Sequence, residues 1–147
     1  MRNLPSYLLT QTAMHAGRLV TEGFAAAGAR GYHYRLLASL VEDGPASQAT
    51  LGRRTGIHLS DMVTALNELE AGAYVARAPD PADRRRNVIT VTDAGRDRAA
   101  ELAERAAAVQ EQLLAPLDPA EREQFTALLA KLYEHHRQGF PPPSPMS

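Results

Sequence analysis

The 147-residue chain has no cysteine and no tryptophan. Without cysteine there can be no disulfide, no thiolate nucleophile, no thiol redox sensor and no Cys-ligated zinc. Aromatic residues make up only 5% of the chain against 44% hydrophobic residues overall. The core is therefore expected to be aliphatic, with Leu, Val and Ala on closely packed helices. Long apolar runs are missing too: nothing approaches the roughly 20 residues a membrane-spanning helix needs. Pro5 interrupts the short apolar N-terminus, and no small-residue cleavage site of a secretory leader follows it. The sequence also lacks a Gly-rich phosphate loop, a metal-ligand set and a Ser/His/Asp arrangement at motif spacing, so nothing points to an enzyme. His135 and His136 are adjacent, so they face different sides of a helix, and no carboxylate completes a metal site with them. The expectation is a cytoplasmic, non-catalytic protein with no membrane contact, cofactor or metal.

Charge is nearly balanced, with a net charge of −1, and Lys131 is the only lysine. That argues against a non-specific polyanion coat but not against a specific reader, whose affinity depends on where the charge sits. Arginine suits forked contacts to phosphate and guanine. A GC-rich coding bias accounts for the preference equally well.

What is present is mostly helix. Leu9, Ala13, Ala16, Val20, Phe24 and Ala27 recur at steps of three and four, predicting a helix over residues 5–28 with Pro5 in its first turn. Two glycines in Gly28-Ala29-Arg30-Gly31 break it. A second helix is expected over residues 32–42, with Leu36, Leu37, Leu40 and Val41 inward, until Asp43-Gly44-Pro45 stops it. Ser47 reads as the N-cap of a short helix through Arg54, anchored by Leu51, and Thr55-Gly56 as a turn. The next helix starts near His58 and ends near Gly72. At about 100° per residue, Leu59, Met62, Leu66 and Leu69 fall on one side. Ser60, Thr64 and Asn67 fall on the other, with Asp61 and Glu68 on a flank. A short helix, a tight turn and a second helix with a hydrogen-bonding outer face is the layout of a helix-turn-helix DNA reader.

Two β-prone runs follow, residues 74–77 and 87–92, separated by a Pro- and Asp-rich loop. The loop delivers Arg84, Arg85 and Arg86 where the second strand begins. A charge run alone is usually a solvated face. At a hairpin tip directly after a helix-turn-helix, it becomes a wing placed to meet a minor groove. Thr92-Asp93 then caps a helix running to about Leu114, with Ala99, Leu102, Ala106, Val109 and Leu113 as a heptad seam whose small residues admit a close partner helix. Asp118-Pro119-Ala120-Glu121 starts a last helix, with Phe125, Leu128, Leu129 and Leu132 expected inward. Residues 139–147, rich in proline and serine, are expected to be disordered. The apolar stripes of the terminal helices exceed what a monomer of this size can cover, which predicts pairing across a two-fold axis.

The stretch Asp83-Arg84-Arg85-Arg86-Asn87-Val88-Ile89-Thr90-Val91-Thr92, followed by Asp93-Ala94-Gly95, resembles the wing signature of MarR-type transcriptional regulators: Asp, any residue, Arg, any three residues, then an aliphatic–any–aliphatic–Thr pattern, with Gly three residues on. The motif likeness covers residues 32–98, and the helix order is similar throughout. The residues after Leu66 are also similar to the family's exit from this helix, although its usual Gly is Ala73 here. The resemblance implies a mainly α fold with a small β-hairpin wing, divided into an N-terminal dimerisation helix (residues 1–30), a winged helix-turn-helix domain (31–92) and C-terminal dimerisation helices (93–138). It implies a homodimeric repressor that binds a pseudo-palindromic operator in double-stranded DNA and is released by a small aromatic or anionic effector. It places Ser60, Asp61, Thr64 and Asn67 at the major groove, Ser47, Gln48, Arg53 and Arg54 near the backbone, and Arg84, Arg85 and Arg86 on the wing, with Asp83 orienting Arg85. For an effector pocket it points to His15, Arg18, Tyr32, His33 and Tyr34. A winged-helix module that docks a protein partner instead of DNA remains the alternative.

Overall fold

The computed structural model describes residues 1–138, so the tail expected to be disordered lies outside the described residues. Its elements are α1 (Pro5–Ala25), α2 (Gly31–Asp43), β1 (Ala46–Ser47), α3 (Gln48–Thr55), α4 (Leu59–Ala71), β2 (Val75–Pro79), β3 (Asn87–Val91), α5 (Asp93–Leu113) and α6 (Pro119–Arg137). The fold is mainly helical, with a small antiparallel sheet in the order β1-β3-β2. The β2–β3 hairpin pairs from Val75 opposite Val91 out to Pro79 opposite Asn87. The third strand, β1, pairs Ala46 with Ile89. It is only two residues long, too short to carry a periodic signal.

Leu36, Leu37 and Leu40 of α2 are fully buried with Leu51 of α3, Met62 and Leu66 of α4, Ile89 of β3 and Leu102 of α5. Phe24 at the end of α1 joins the same core. The core is thus aliphatic and continuous from the lobe into the long helices, and it fixes the angle at which α4 and the hairpin leave them.

Caps set the element boundaries. The Ser47 hydroxyl accepts the Thr50 N–H at 3.2 Å, Gly56 takes the left-handed φ of 67° that the turn requires, and Asp118 and Glu121 form a reciprocal capping box. The His58 imidazole caps α4 by accepting the Ser60 N–H at 3.2 Å, as a Ser or Asp would. Thr92 joins two elements. Its hydroxyl donates to the Ala73 carbonyl at 2.7 Å and accepts the Gly95 N–H at 3.0 Å. A Cβ on Gly95 would run into the Tyr74 carbonyl oxygen and the Val91 side chain. Thr92 and Gly95 of the sequence motif therefore lock the start of α5 against the base of the hairpin.

Several expectations need correction. The first helix ends at Ala25, short of Gly28. Leu59 is not inward but 64% exposed. It is the first residue of α4, at the edge of the apolar arc, and its place on the buried face is taken by Ala65. The α5 seam is used within the chain: Leu102 and Val109 are buried and α1 packs across them. The approach is close enough that a Cβ on Gly23 would press on the Val109 side chain. On α6, by contrast, no residue is buried. Leu128 and Leu132, expected inward, stand exposed, as do Leu4, Leu8, Leu9 and Met14 around the N-terminal half of α1.

Candidate nucleic-acid interface

The outer face of α4 carries Ser60, Val63, Thr64 and Asn67, all exposed. Met62, Ala65, Leu66 and Leu69 hold the opposite face in the core. The Ser60 hydroxyl lies 3.0 Å from His58 Nδ1 and the Thr64 hydroxyl donates to the Ser60 carbonyl at 3.3 Å, so both short side chains are held close to the helix. Val63 did not figure in the sequence reading. It adds an exposed methyl surface between them, and apolar side chains of this kind contact the thymine methyl group in a major groove. Asp61 sits in the first turn of α4, where its charge complements the helix dipole.

Asn67 is held from behind. Arg77 on β2 donates from Nη2 to Asn67 Oδ1 at 2.9 Å, and its Nε lies 3.4 Å from Glu70. One arginine on the hairpin thus clamps the far end of α4. Arg77 is not in the tip motif, and no spacing rule marks it.

The hairpin loop is shaped by two aspartates. Asp80 accepts the Ala82 N–H at 2.9 Å and Asp83 accepts the Arg85 N–H at 3.1 Å, turns that Asp side chains make by mimicking backbone. Asp83 Oδ1 also lies 3.5 Å from the Arg85 Nε, and the Arg85 side chain is 94% exposed. Asp83 thus holds the Arg85 backbone and lies beside its Nε, while the rest of the guanidinium projects into solvent. Arg84 and Arg86 are exposed beside it.

The residues expected near a DNA backbone divide. Ser47 uses its hydroxyl in the α3 cap, and Gln48 opens that helix half-buried. Arg53 donates to the Thr50 hydroxyl at 3.1 Å and Arg54 to the Gly44 carbonyl at 3.3 Å. Both arginines are exposed in the last turn of α3.

A cavity of about 710 Å³ opens between α1, α2 and α5, lined by apolar residues including Val20, Phe24 and Val109 and by Tyr32, Tyr34 and Gln110. Phe24 and Tyr34 stack there with ring centroids 5.7 Å apart. Of the expected pocket residues only Tyr32 and Tyr34 line it. Arg18 is exposed and its guanidinium reaches Glu22 at 4.0 Å. His15 is exposed outside the lining. His33 is buried, with Nδ1 accepting the Arg30 N–H at 3.2 Å and Nε2 2.9 Å from Glu68. Burial, then the guanidiniums of Arg30 and Arg98, lower its pKa below the ordinary value. A neutral ring fits the contacts, since Nδ1 can accept only while it carries no proton. Two cavity cations, Arg30 and Arg35, were missed because each stands alone in the sequence, without a motif.

Among the described residues no helix is long and apolar enough to cross a membrane, and no group of three His, Asp or Glu side chains could hold a metal ion.

A helix-turn-helix packed on an aliphatic core, with a β-hairpin at its side, defines a winged helix-turn-helix protein. The chain belongs to the MarR family: the family model described as "MarR family" matches residues 27–86. A probable transcriptional regulator from Pseudomonas aeruginosa is 30% identical and superposes with a TM-score of 0.79 over 89% of this chain and 98% of its own. BpsR of Bordetella bronchiseptica, whose DNA binding is regulated by 6-hydroxynicotinic acid, shares the fold at 24% identity, with a TM-score of 0.79 over 88% of this chain and 93% of its own. The HTH-type transcriptional repressor NicR of Pseudomonas putida is 29% identical over 67% of this chain and 62% of its own length. The chain spans less than two thirds of the length of the curated relatives it matches.

Proposed function

We propose that the protein is a homodimeric transcriptional repressor. It would place α4 in the major groove and the β2–β3 hairpin against the adjacent minor groove of a pseudo-palindromic operator, and leave the DNA when an aromatic anion occupies the cavity between α1, α2 and α5. One observation carries the reading. A fully exposed Arg85, pre-oriented by Asp83, stands on the same lobe as an exposed Ser60-Val63-Thr64-Asn67 face. Phosphate contacts from arginine position such a lobe, and base-edge contacts from the helix specify the sequence. In this arrangement Ser60, Val63, Thr64 and Asn67 face bases, with Asp61 at the helix entry. Arg53 and Arg54 sit near the phosphates, and Arg84, Arg85 and Arg86 serve the wing.

The dimer rests on uncovered apolar surface. Leu8, Leu9 and Met14 of α1 and Leu128, Leu132 and Tyr133 of α6 are exposed in a single chain. A second copy related by a two-fold axis would bury both sets at once. The effector rests on the apolar-aromatic cavity and its two arginines, and BpsR offers an instance of the same fold regulated by an aromatic acid.

Anisotropy titration of labelled duplex from the region upstream of the protein's own gene tests the reading. Tight binding that Arg85→Ala weakens strongly, with the fold unchanged by circular dichroism, is the expected result. Equal affinity of Arg85→Ala and wild type contradicts the wing assignment.

A further inference from the structure

The cavity between α1, α2 and α5 has two charged lining residues, Arg30 and Arg35, and no carboxylate. Both arginines are already engaged with the helix-turn-helix. Arg30 pairs with Glu68 on the third turn of α4. Arg35 lies over the Tyr32 ring, 5.3 Å from its centroid, and donates to the carbonyl of Thr55, the last residue of α3, at 3.1 Å. Each helix of the motif is thus tied to α2 through a guanidinium that also faces the cavity.

We infer that Arg30 and Arg35 are the anion-sensing pair of the cavity, and that a carboxylate entering it takes Arg30 from Glu68 and Arg35 from the Thr55 carbonyl, loosening the hold of α2 on α4 and α3. This rests on reading the cavity as the effector site and α4 as the DNA-reading helix.

The exchange is chemically like for like, since a guanidinium fork accepts one carboxylate in place of another. Its direction follows from exposure. The Arg30 and Glu68 side chains are 54% and 38% exposed, so water screens their pair and makes it weak. An anion whose ring lies against Phe24 and Tyr34 would meet the same guanidinium beside apolar walls, where the charge-assisted bond is stronger. Glu68 would keep only His33, whose Nε2 lies 2.9 Å from it. An uncharged ligand of the same shape offers an arginine only a neutral acceptor, a weaker bond than a carboxylate makes, and leaves the Arg30–Glu68 pair in place.

Benzoate and its neutral isostere benzamide separate these cases. They are titrated by NMR into the full-length wild type, Glu68→Gln and Arg30→Met, followed by DNA anisotropy at saturating ligand. In wild type, benzoate is expected to shift Phe24 and Tyr34 ring signals and to bind about tenfold more tightly than benzamide. It should also weaken DNA binding by a factor within about 5–150. Glu68→Gln keeps a hydrogen bond to His33 but frees Arg30. It should bind benzoate several-fold more tightly, bind DNA more weakly without ligand, and respond little to benzoate. Arg30→Met should lose most of the preference for benzoate over benzamide, since Arg35 alone remains to meet the carboxylate.

If benzoate fills the cavity but Glu68→Gln matches wild type in benzoate affinity and DNA response, the exchange is overturned while the cavity and DNA readings stand. If benzoate perturbs no cavity residue in any of the three proteins, the cavity reading and the exchange fall together, and DNA binding is unaffected.

Discussion

Arg77 Nη2 donates to Asn67 Oδ1 at 2.9 Å, tying the hairpin to the outer face of α4. Arginine has no acceptor, so the amide atom facing it must be the oxygen. The Asn67 amide nitrogen is then left on the free branch, where it offers donors. On the proposed interface Asn67 should favour an acceptor-rich edge, guanine or the thymine O4, or a phosphate. Arg77→Met frees the amide to turn over. Competition binding with singly substituted sites should show the preference at the Asn67 position flattened, by about 1–3 kcal/mol if the contact is a good one. Unchanged preferences would remove Arg77 from any part in readout.

Ala73 has a φ of 60°, the only positive φ outside glycine among the described residues. Its Cβ makes this conformation costly by about 1–2 kcal/mol. Ala73→Gly relieves that strain but loosens the unfolded chain, for a net gain of about 0.5–1 kcal/mol. Urea unfolding should show a higher midpoint at constant slope. A lower midpoint would contradict the strain.

The His33 pKa is lowered, first by burial and then by Arg30 and Arg98. A histidine held below its unfolded value contributes stability that is present above that value and lost as pH falls. Protonation would also cost the Arg30 N–H its acceptor at Nδ1. The melting temperature should therefore drop as pH goes from about 7 to about 5. His33→Gln should show a shallower drop over the same interval. Parallel curves would place the pH dependence elsewhere.

Leu132 is exposed on α6 within an apolar face that includes Leu128. A two-fold interface repeats each residue, so Leu132→Glu penalises it twice. The loss of two buried leucines should weaken dimerisation about a hundredfold or more, seen by sedimentation as monomer at concentrations where wild type is dimer. A dimeric Leu132→Glu would move the interface off α6.

Local chemistry made much of this fold legible. The caps at Ser47, Thr92 and Asp118 and the α2 leucines each depend on nearby residues, and the structure has them as expected. The pairing of Asp83 with Arg85 was also readable, because it spans three residues of a recognised motif. Contacts distant in sequence were not readable. Arg77 meets Asn67 across ten residues, and Arg30 meets Glu68 across thirty-eight, so neither pair follows a helical or strand period. Leu59 failed for another reason: periodicity says which side of a helix a residue is on, but not where the core stops along it. Leu128 and Leu132 were expected inward and stand exposed on α6, because helical spacing marks an apolar face without saying what covers it.

In the proposed function, two copies of this lobe read DNA at a fixed spacing. Selection from a randomised duplex library with the purified full-length protein tests it most directly. Enrichment of an inverted repeat whose half-site centres lie about 10 bp apart, one helical turn, is expected, with weak recovery of that repeat by Arg85→Ala. No enrichment, or enrichment of a single site without symmetry that Arg85→Ala recovers equally well, would contradict it.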